Sequence, residues 1–273
     1  MLNNLLRKLL YREKASSADY VAYLRKQGVS IGEDVCFYSP SHTHVDVTCP
    51  WLLTIGDHVR ITHGVIILTH DYAWSVLKQL PESEGRILGA QSPVTIGNNV
   101  FIGMNAIITR GVTVGDNVII GAGSVVTGDC EPDSVYAGNP ARKIMTIGQY
   151  LEKREAAQFR EARTMARIYR EKFGKMPPMD VFNEYFMLFC DADAAKQHPK
   201  FRAQMATGMN FEHSEHWMRQ NQPMFDGYDA FLAACFQTEL DIRKSRMWHR
   251  SGDKNENTIR RRCNGKFRTE QCE

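Results

Sequence analysis

The chain offers nine histidines, and its seven cysteines form no C-x-x-C pair, so imidazole is the reactive group it supplies most freely. His70, in ILTHDYAW, has the most informative setting. It is the last residue before a polar insertion, residues 71–93, DYAWSVLKQLPESEGRILGAQSP, which carries Pro81, Gly85 and Pro93. Long insertions on regular scaffolds tend to carry function. An imidazole with an ordinary pKa near about 6.5 accepts protons at neutral pH. From spacing alone His70 reads as a general base or as a solvated corner residue, and both readings stand. His42, His44, His58 and His63 precede it in the same stretch.

The elements that hold His70 are set by a six-residue period. Aliphatic or small residues recur at Ile31, Phe37, Thr43, Cys49, Ile55, Ile61 and Ile67, and again at Ile96, Ile102, Ile108, Val114, Ile120 and Val126. Four positions on, Val35, Ser41, Val47, Leu53, Val59 and Val65 form a second apolar or small series. A helix of 3.6 residues per turn would smear such a stripe around its surface, whereas short strands joined at tight corners keep it on one side. Ile and Val supply the strands, and GED, GDH, GNN and GDN supply corner chemistry through glycine and Asp or Asn. Three hexapeptides make a coil of 18 residues, predicting Ile31 over Cys49 over Ile67. Ile67 and Ile96 lie 29 residues apart, not a multiple of six, so a loop must leave the coils between them.

The stretch VTIGNNVFIGMNAIITRGVTVGDNVIIGAGSVVTGDCEPDSVYAGNPARKI completes this pattern with a terminal AGNPAR. Over about residues 29–146 the chain resembles the hexapeptide-repeat acyltransferases, in the branch of galactoside, maltose and xenobiotic O-acetyltransferases. The resemblance implies a mainly β fold, a left-handed parallel β-helix, assembled as a homotrimer with active sites in the clefts between subunits. It implies His70 as catalytic base in direct transfer from acetyl-CoA to a sugar or polysaccharide hydroxyl. It places the donor along the seam between prisms: Phe101, where relatives carry tryptophan, with Gly103 and Met104 at the thioester end, then Gly121, Ala122 and Thr127, with Arg142 and Lys143 for its phosphates. The glycines also read as tight corners, and Arg142 and Lys143 as an exposed basic pair. His42 or His44 falls where relatives place an acceptor-contacting asparagine, and Asp71, Tyr72 and Trp74 open the loop as further acceptor contacts. Asp71 is not assigned as the group that orients His70.

Other chemistries fit less well. His58 and His63 have the H-x-x-x-x-H spacing of zinc carbonic anhydrases of this fold, but the third ligand would fall near Ala22, so no metal is expected. An N-acyltransferase acting on an amino-sugar nucleotide is the main alternative, and a non-catalytic trimeric scaffold a remoter one.

The flanks read as helical. Residues 1–28 form an N-terminal cap, with a leucine stripe at Leu2, Leu5, Leu6, Leu9 and Leu10 and a helix at 17–27 capped by Ser17 and stopped by Gly28. The stripe is read as packing on the body or a neighbouring subunit, in preference to weak membrane-surface contact. Residues 147–241 form a helical region with stripes at Ala162, Met165, Ala166, Tyr169 and Phe173, at Phe182, Tyr185, Phe186 and Phe189, and at Tyr228, Phe231, Leu232 and Cys235. Residues 242–273 form a basic, solvated tail with ten Lys or Arg against four Asp or Glu, while the whole chain carries only +3, so no nucleic-acid partner is expected. Without a disulfide framework, a secretory signal or an apolar run of about 18 residues, the expected location is cytoplasmic.

Overall fold

The computed structural model describes residues 4–237, with side-chain placement from residue 8 onward. The expectations for residues 238–273, the basic tail among them, lie outside the described residues. Two units divide the described chain, one comprising residues 1–157 with 206–211 and the other the remainder.

The first unit is a three-sided solenoid of short strands. The chain visits three parallel sheets in rotation: β1 (Ser30–Ile31), β4 (Leu53–Ile55), β7 (Val94–Ile96) and β10 (Thr113–Val114) form the first. β2 (Cys36–Phe37), β5 (Arg60–Ile61), β8 (Phe101–Ile102) and β11 (Val118–Ile120) build the second, which β13 (Ser134–Gly138) extends in parallel and β14 (Ala141–Thr146) closes antiparallel. β3 (His44–Val45), β6 (Ile66–Ile67), β9 (Ile107–Ile108) and β12 (Val125–Val126) form the third. The strands point Phe37, Val45, Ile55, Ile61, Ile67, Ile96, Ile102 and Ile108 into one buried core.

In the second half the register is the expected one, with Ile96 beside Val114 and Ile102 beside Ile120, each 18 positions on. The first coil differs. Ile31 pairs with Ile55, 24 positions on, and not with Cys49. Short 3-10 turns at Pro40–His42 and Pro50–Leu52 add residues at two corners, because proline fixes φ near −65° and removes a ladder donor. The inward positions are therefore Phe37, Val45 and Ile55, and Ser41 is exposed.

Corner glycines have a different cause from the one expected. The left-handed residues after GE, GD and GN are Asp34, His58, Asn99 and Asn117, with φ between 52° and 56°, and not the glycines before them. Gly56 is required by stacking: a Cβ there would lie 2.8 Å from the backbone carbon of Gly97 in the next coil. Each corner Asx side chain also accepts from the neighbouring coil, Asn98 from the Asp57 N–H at 2.8 Å and Asp116 from the Asn98 N–H at 2.7 Å. Gly56→Ala is expected to cost about 2 kcal/mol through this overlap, lowering the thermal midpoint on the order of 5 °C. Gly89→Ala, where a Cβ meets nothing within 4 Å, should leave the midpoint unchanged; equal midpoints for the two variants would reject the stacking account.

Helix α1 (Asn4–Tyr11) forms as expected, although Leu9 and Leu10 are exposed in the single chain. Helix α2 (Ser17–Gln27) covers the first coil, burying Tyr20 and Leu24, and Tyr20 meets Phe37 edge-on at 4.9 Å. Its cap is Ser16, whose Oγ accepts from the Asp19 N–H, while Ser17 Oγ accepts from the Phe37 N–H. Gly28 ends it at φ 107°.

After a short loop helix, α3 (Trp74–Leu77), in the first unit, the second unit draws on α4 (Ile147–Phe173), which begins where the six-residue period stops, and on α5 (Ala192–Gln197), α6 (Pro199–Met205), α7 (Phe211–Gln220) and α8 (Gly227–Phe236). Ala162 and Ala166 are its buried α4 residues. The stripe from Phe182 to Phe189 is not a helix; it folds as two 3-10 turns, Met179–Phe182 and Phe186–Leu188, whose rings pack with Phe201 and Phe231. Consecutive tight turns bring aromatic residues at i, i+3 and i+4 to one side much as a helix does. Among the described residues no helix is long and apolar enough to cross a membrane.

Candidate active site

Strand β6 ends at Ile67, and the chain continues through the buried Thr69 to His70 at the corner between the third and first sheets. Here the loop departs through a narrow neck. His70 and Gln91 form a backbone bridge, the Asp71 N–H donates to Ala90 O, and the Ser92 N–H donates to Thr69 O, each at 3.0 Å for the two bonds. A side chain at such a neck is fixed by scaffold on one side and faces the loop on the other.

The residue that fixes the imidazole is Asp46. It follows β3 one coil earlier, is 3% exposed, and its Oδ2 accepts from His70 Nδ1 at 2.5 Å. The same carboxylate accepts from the Thr69 N–H at 3.0 Å, the Thr69 hydroxyl at 2.6 Å and the Thr48 N–H at 2.9 Å. Burial alone would raise the Asp46 pKa, but the bonds from Thr69, Thr48 and His70 outweigh it and hold the carboxyl well below the usual range. An ionised carboxylate has no proton to give, so His70 Nδ1 carries a hydrogen, and in the neutral ring the lone pair lies on Nε2. This is the tautomer a general base needs. Tyr72 packs edge-on against the ring at 4.8 Å and meets Trp74 at 6.2 Å.

Asp71 is turned elsewhere. Its Oδ2 accepts from Arg110 Nε at 2.5 Å and its Oδ1 from the Ala73 N–H at 2.9 Å, and the Arg110 bond lowers its pKa. Arg110 thus ties the loop's first residue to the next coil.

The other expected residues occupy different places. His44 opens β3 beside Ile66 and is exposed. His42 lies in the Pro40–His42 turn, with Nδ1 near Ser39 Oγ and Ser41 Oγ at 3.0 Å and its ring 4.5 Å from that of His63. His63 Nδ1 bonds Ser39 at 3.2 Å, whereas His58 Nδ1 bonds Asp34 at 2.9 Å, so the H-x-x-x-x-H pair diverges to separate partners. Phe101 and Met104 are 42% and 50% exposed at the corner between the second and third sheets. Gly103 and Gly121 stack there, since a Cβ on Gly103 would meet the Gly121 carbonyl carbon at 2.8 Å and Ala122 N at 2.5 Å. Thr127 follows β12 and so shares the corner of His70, two coils on. Arg142 and Lys143 lie on β14; Lys143 pairs with Glu131 at 2.6 Å, and the Arg142 guanidinium donates to Ala141 O. One chain therefore gathers His70, Asp71, Tyr72 and Trp74 at one corner and Phe101, Gly103, Met104, Gly121 and Ala122 at another.

Residues 93–128 match the family model described as the hexapeptide repeat of succinyl-transferase. Protein CapG of Staphylococcus aureus is 47% identical over 131 residues, spanning 48% of this chain and 73% of that protein. The putative acetyltransferase SH0499 of Staphylococcus haemolyticus (strain JCSC1435) is 49% identical over 69 residues, 25% of this chain and 36% of that protein. Among solved structures, a maltose O-acetyltransferase from Clostridium difficile 630 aligns at 33% identity over 47% of this chain and 75% of that one, with a TM-score of 0.34. With a six-residue repeat wound into three parallel sheets and a relative matched over most of its length, the chain belongs to the hexapeptide-repeat acyltransferase family.

Proposed function

We propose that this protein is a cytoplasmic, homotrimeric O-acetyltransferase, wound as a left-handed β-helix, that moves the acetyl group of acetyl-CoA to a hydroxyl of a sugar or surface polysaccharide. The observation that carries the reading is the His70–Asp46 pair at the neck of the loop. His70 Nε2 accepts the acceptor hydroxyl proton as the oxygen attacks, and Asp46 steadies the imidazolium that forms. The thioester supplies an activated acyl carbon and a thiolate that departs readily. No covalent intermediate on the chain is required.

The donor fits the second corner. Phe101, Met104 and Ala122 leave an exposed, largely apolar strip beside stacked glycines, suited to an extended pantetheine arm. Arg142, whose guanidinium bonds only a neighbouring carbonyl among the described residues, is the better phosphate ligand; Lys143 must first leave Glu131. Because the two corners are separate on one chain, a neighbouring subunit's donor strip completes the site of His70. Tyr72 and Trp74 offer ring faces for a sugar, with His42 and His44 as further polar contacts and Asp71 as the loop's anchor.

Thiol release from acetyl-CoA, followed with a panel of free sugars, glycosides and amino sugars, tests this. Release that depends on a hydroxyl acceptor supports O-acetylation. Release only with free amines would reject it in favour of N-acylation, and none with any acceptor would reject both.

A further inference from the structure

The corner that carries His70 also presents an indole. One coil before the neck of the loop, the chain passes from β3 to β4 through Asp46–Leu52, and the first residue of that segment is the carboxylate that holds His70. Val45 and Ile55 are ten residues apart where the equivalent inward pair Ile108 and Val114 are six, so this corner is longer by four residues. The added length is rigid. Cys49, Pro50 and Leu53 are buried, the Leu52 N–H donates to Cys49 O at 2.9 Å, and the Leu53 N–H closes the turn on Pro50 O. Trp51, between these buried residues, is turned out and 70% exposed. Its indole has no hydrogen bond and no ring contact among the described residues. Leu53 pairs with Val94, which sets Trp51 beside the returning limb of the neck, where the Ser92 N–H bonds the carbonyl of Thr69 just before His70.

His70 thus has aromatic side chains on two sides. Tyr72, 63% exposed, and Trp74 stand on the loop that follows it, and Trp51 stands on the coil that precedes it. A pyranose has apolar C–H faces and a rim of hydroxyls, so it covers an aromatic face while its rim stays hydrated. A single ring delivered to His70 beside Tyr72 leaves Trp51 bare, because adjacent coils are spaced by about 4.8 Å. The next ring of a linked chain can reach it. A sugar nucleotide would bring a diphosphate to a segment, Asp46–Leu52, that contains no lysine or arginine, and Arg110 at the following coil is engaged with Asp71.

We infer that Trp51 is a specificity-determining residue, a platform for the pyranose joined to the one that reacts, which makes the acceptor a glycan of at least two linked rings and not a monosaccharide or a sugar nucleotide. The inference rests on the proposed transfer at His70.

Saturation-transfer NMR on the full chain, without acetyl donor, tests the contact apart from the reaction. The probes are methyl β-cellobioside, methyl β-lactoside and N,N′-diacetylchitobiose, each beside its monosaccharide counterpart. The expected result is magnetisation passing from the protein to both rings of at least one disaccharide, in the parent and in His70→Ala, confined to one ring in Trp51→Ala and restored to both in Trp51→Phe. In thiol-release assays the same disaccharide should exceed its monosaccharide in kcat/KM by at least about fivefold, and Trp51→Ala should bring that ratio to within about twofold of unity. Contact with both rings in Trp51→Ala, contact with no disaccharide, or a ratio that Trp51→Ala leaves unchanged would overturn the inference. So would a smaller assembly on sedimentation of Trp51→Ala, the mark of a subunit contact. The two readings fail separately: sugar acetylation that is indifferent to Trp51 removes this platform alone, and two-ring binding that depends on Trp51 without acetyl transfer removes the catalytic reading alone.

Discussion

His70→Ala is expected to lower kcat for acetyl transfer on the order of a hundredfold or more while the proposed trimer and the thermal midpoint stay close to those of the parent. The rate loss follows from removing the proposed base: a positioned imidazole contributes roughly 10²- to 10⁴-fold, and among the described residues no other imidazole contacts Asp46. Water entering the vacated corner can accept the proton, but it is a far weaker base and nothing holds it in line. The fold should persist because His70 lies outside the prism core, with its side chain 16% exposed. Asp46 keeps its three bonds from Thr69 and Thr48 when the ring is gone. Thiol-release kinetics and sedimentation of the same sample check both halves. A variant with near-parent kcat would remove His70 from the reaction.

His70 could be picked out from sequence because it ends a repeat that is otherwise strict, and because the break of 29 residues cannot be absorbed by whole strands. From Ile96 to Val126 the inward positions were also legible, since each strand must place one aliphatic residue over the one 18 before it and no corner there is lengthened. The first coil was not legible in the same way. Thr43 and Cys49 keep the six-residue phase and are buried, but Pro40 and Pro50 start turns beside them, so the inward strand residue is Val45 in place of Thr43, and Ile55, still on the six-residue series, meets Ile31 in place of Cys49. That misphasing hid Asp46. An 18-residue coil sets Leu52 beneath His70, whereas in the third sheet Val45 pairs with Ile67, 22 positions on, and the next residue, Asp46, reaches forward to His70. Reading Pro50 as a four-residue corner insertion brings VDVT beside ILTH, with His70 at its end.

Asp46→Asn should separate orientation from proton transfer. The asparagine has the same shape but only one accepting oxygen, while the site presents four donors: two from Thr69, one from Thr48 and one from His70. Its amide N–H₂ must face at least one of them. On the Oδ2 side it faces Thr69 and His70 together, so the ring moves its hydrogen to Nε2 and can no longer accept there; on the Oδ1 side it strands the Thr48 N–H, and the neutral oxygen left on His70 no longer steadies the imidazolium. The expected result is a fall in kcat of at least about tenfold, toward the roughly 10⁴ seen when the orienting aspartate of a serine protease is amidated, with little change in the KM for acetyl-CoA. Asp71→Asn, which loosens only the exposed bond to Arg110, should leave kcat within about twofold. Stability gives a second reading with a defined sign. Because the folded carboxyl of Asp46 ionises well below the unfolded value of about 3.9, its contribution is complete above that value and is lost as the pH falls through the folded one. The parent should therefore melt above Asp46→Asn by a constant margin from neutral pH down to about 4, and the margin should narrow only in stronger acid. Equal kcat in Asp46→Asn and parent would show that the carboxylate holds the corner together without setting the tautomer of His70.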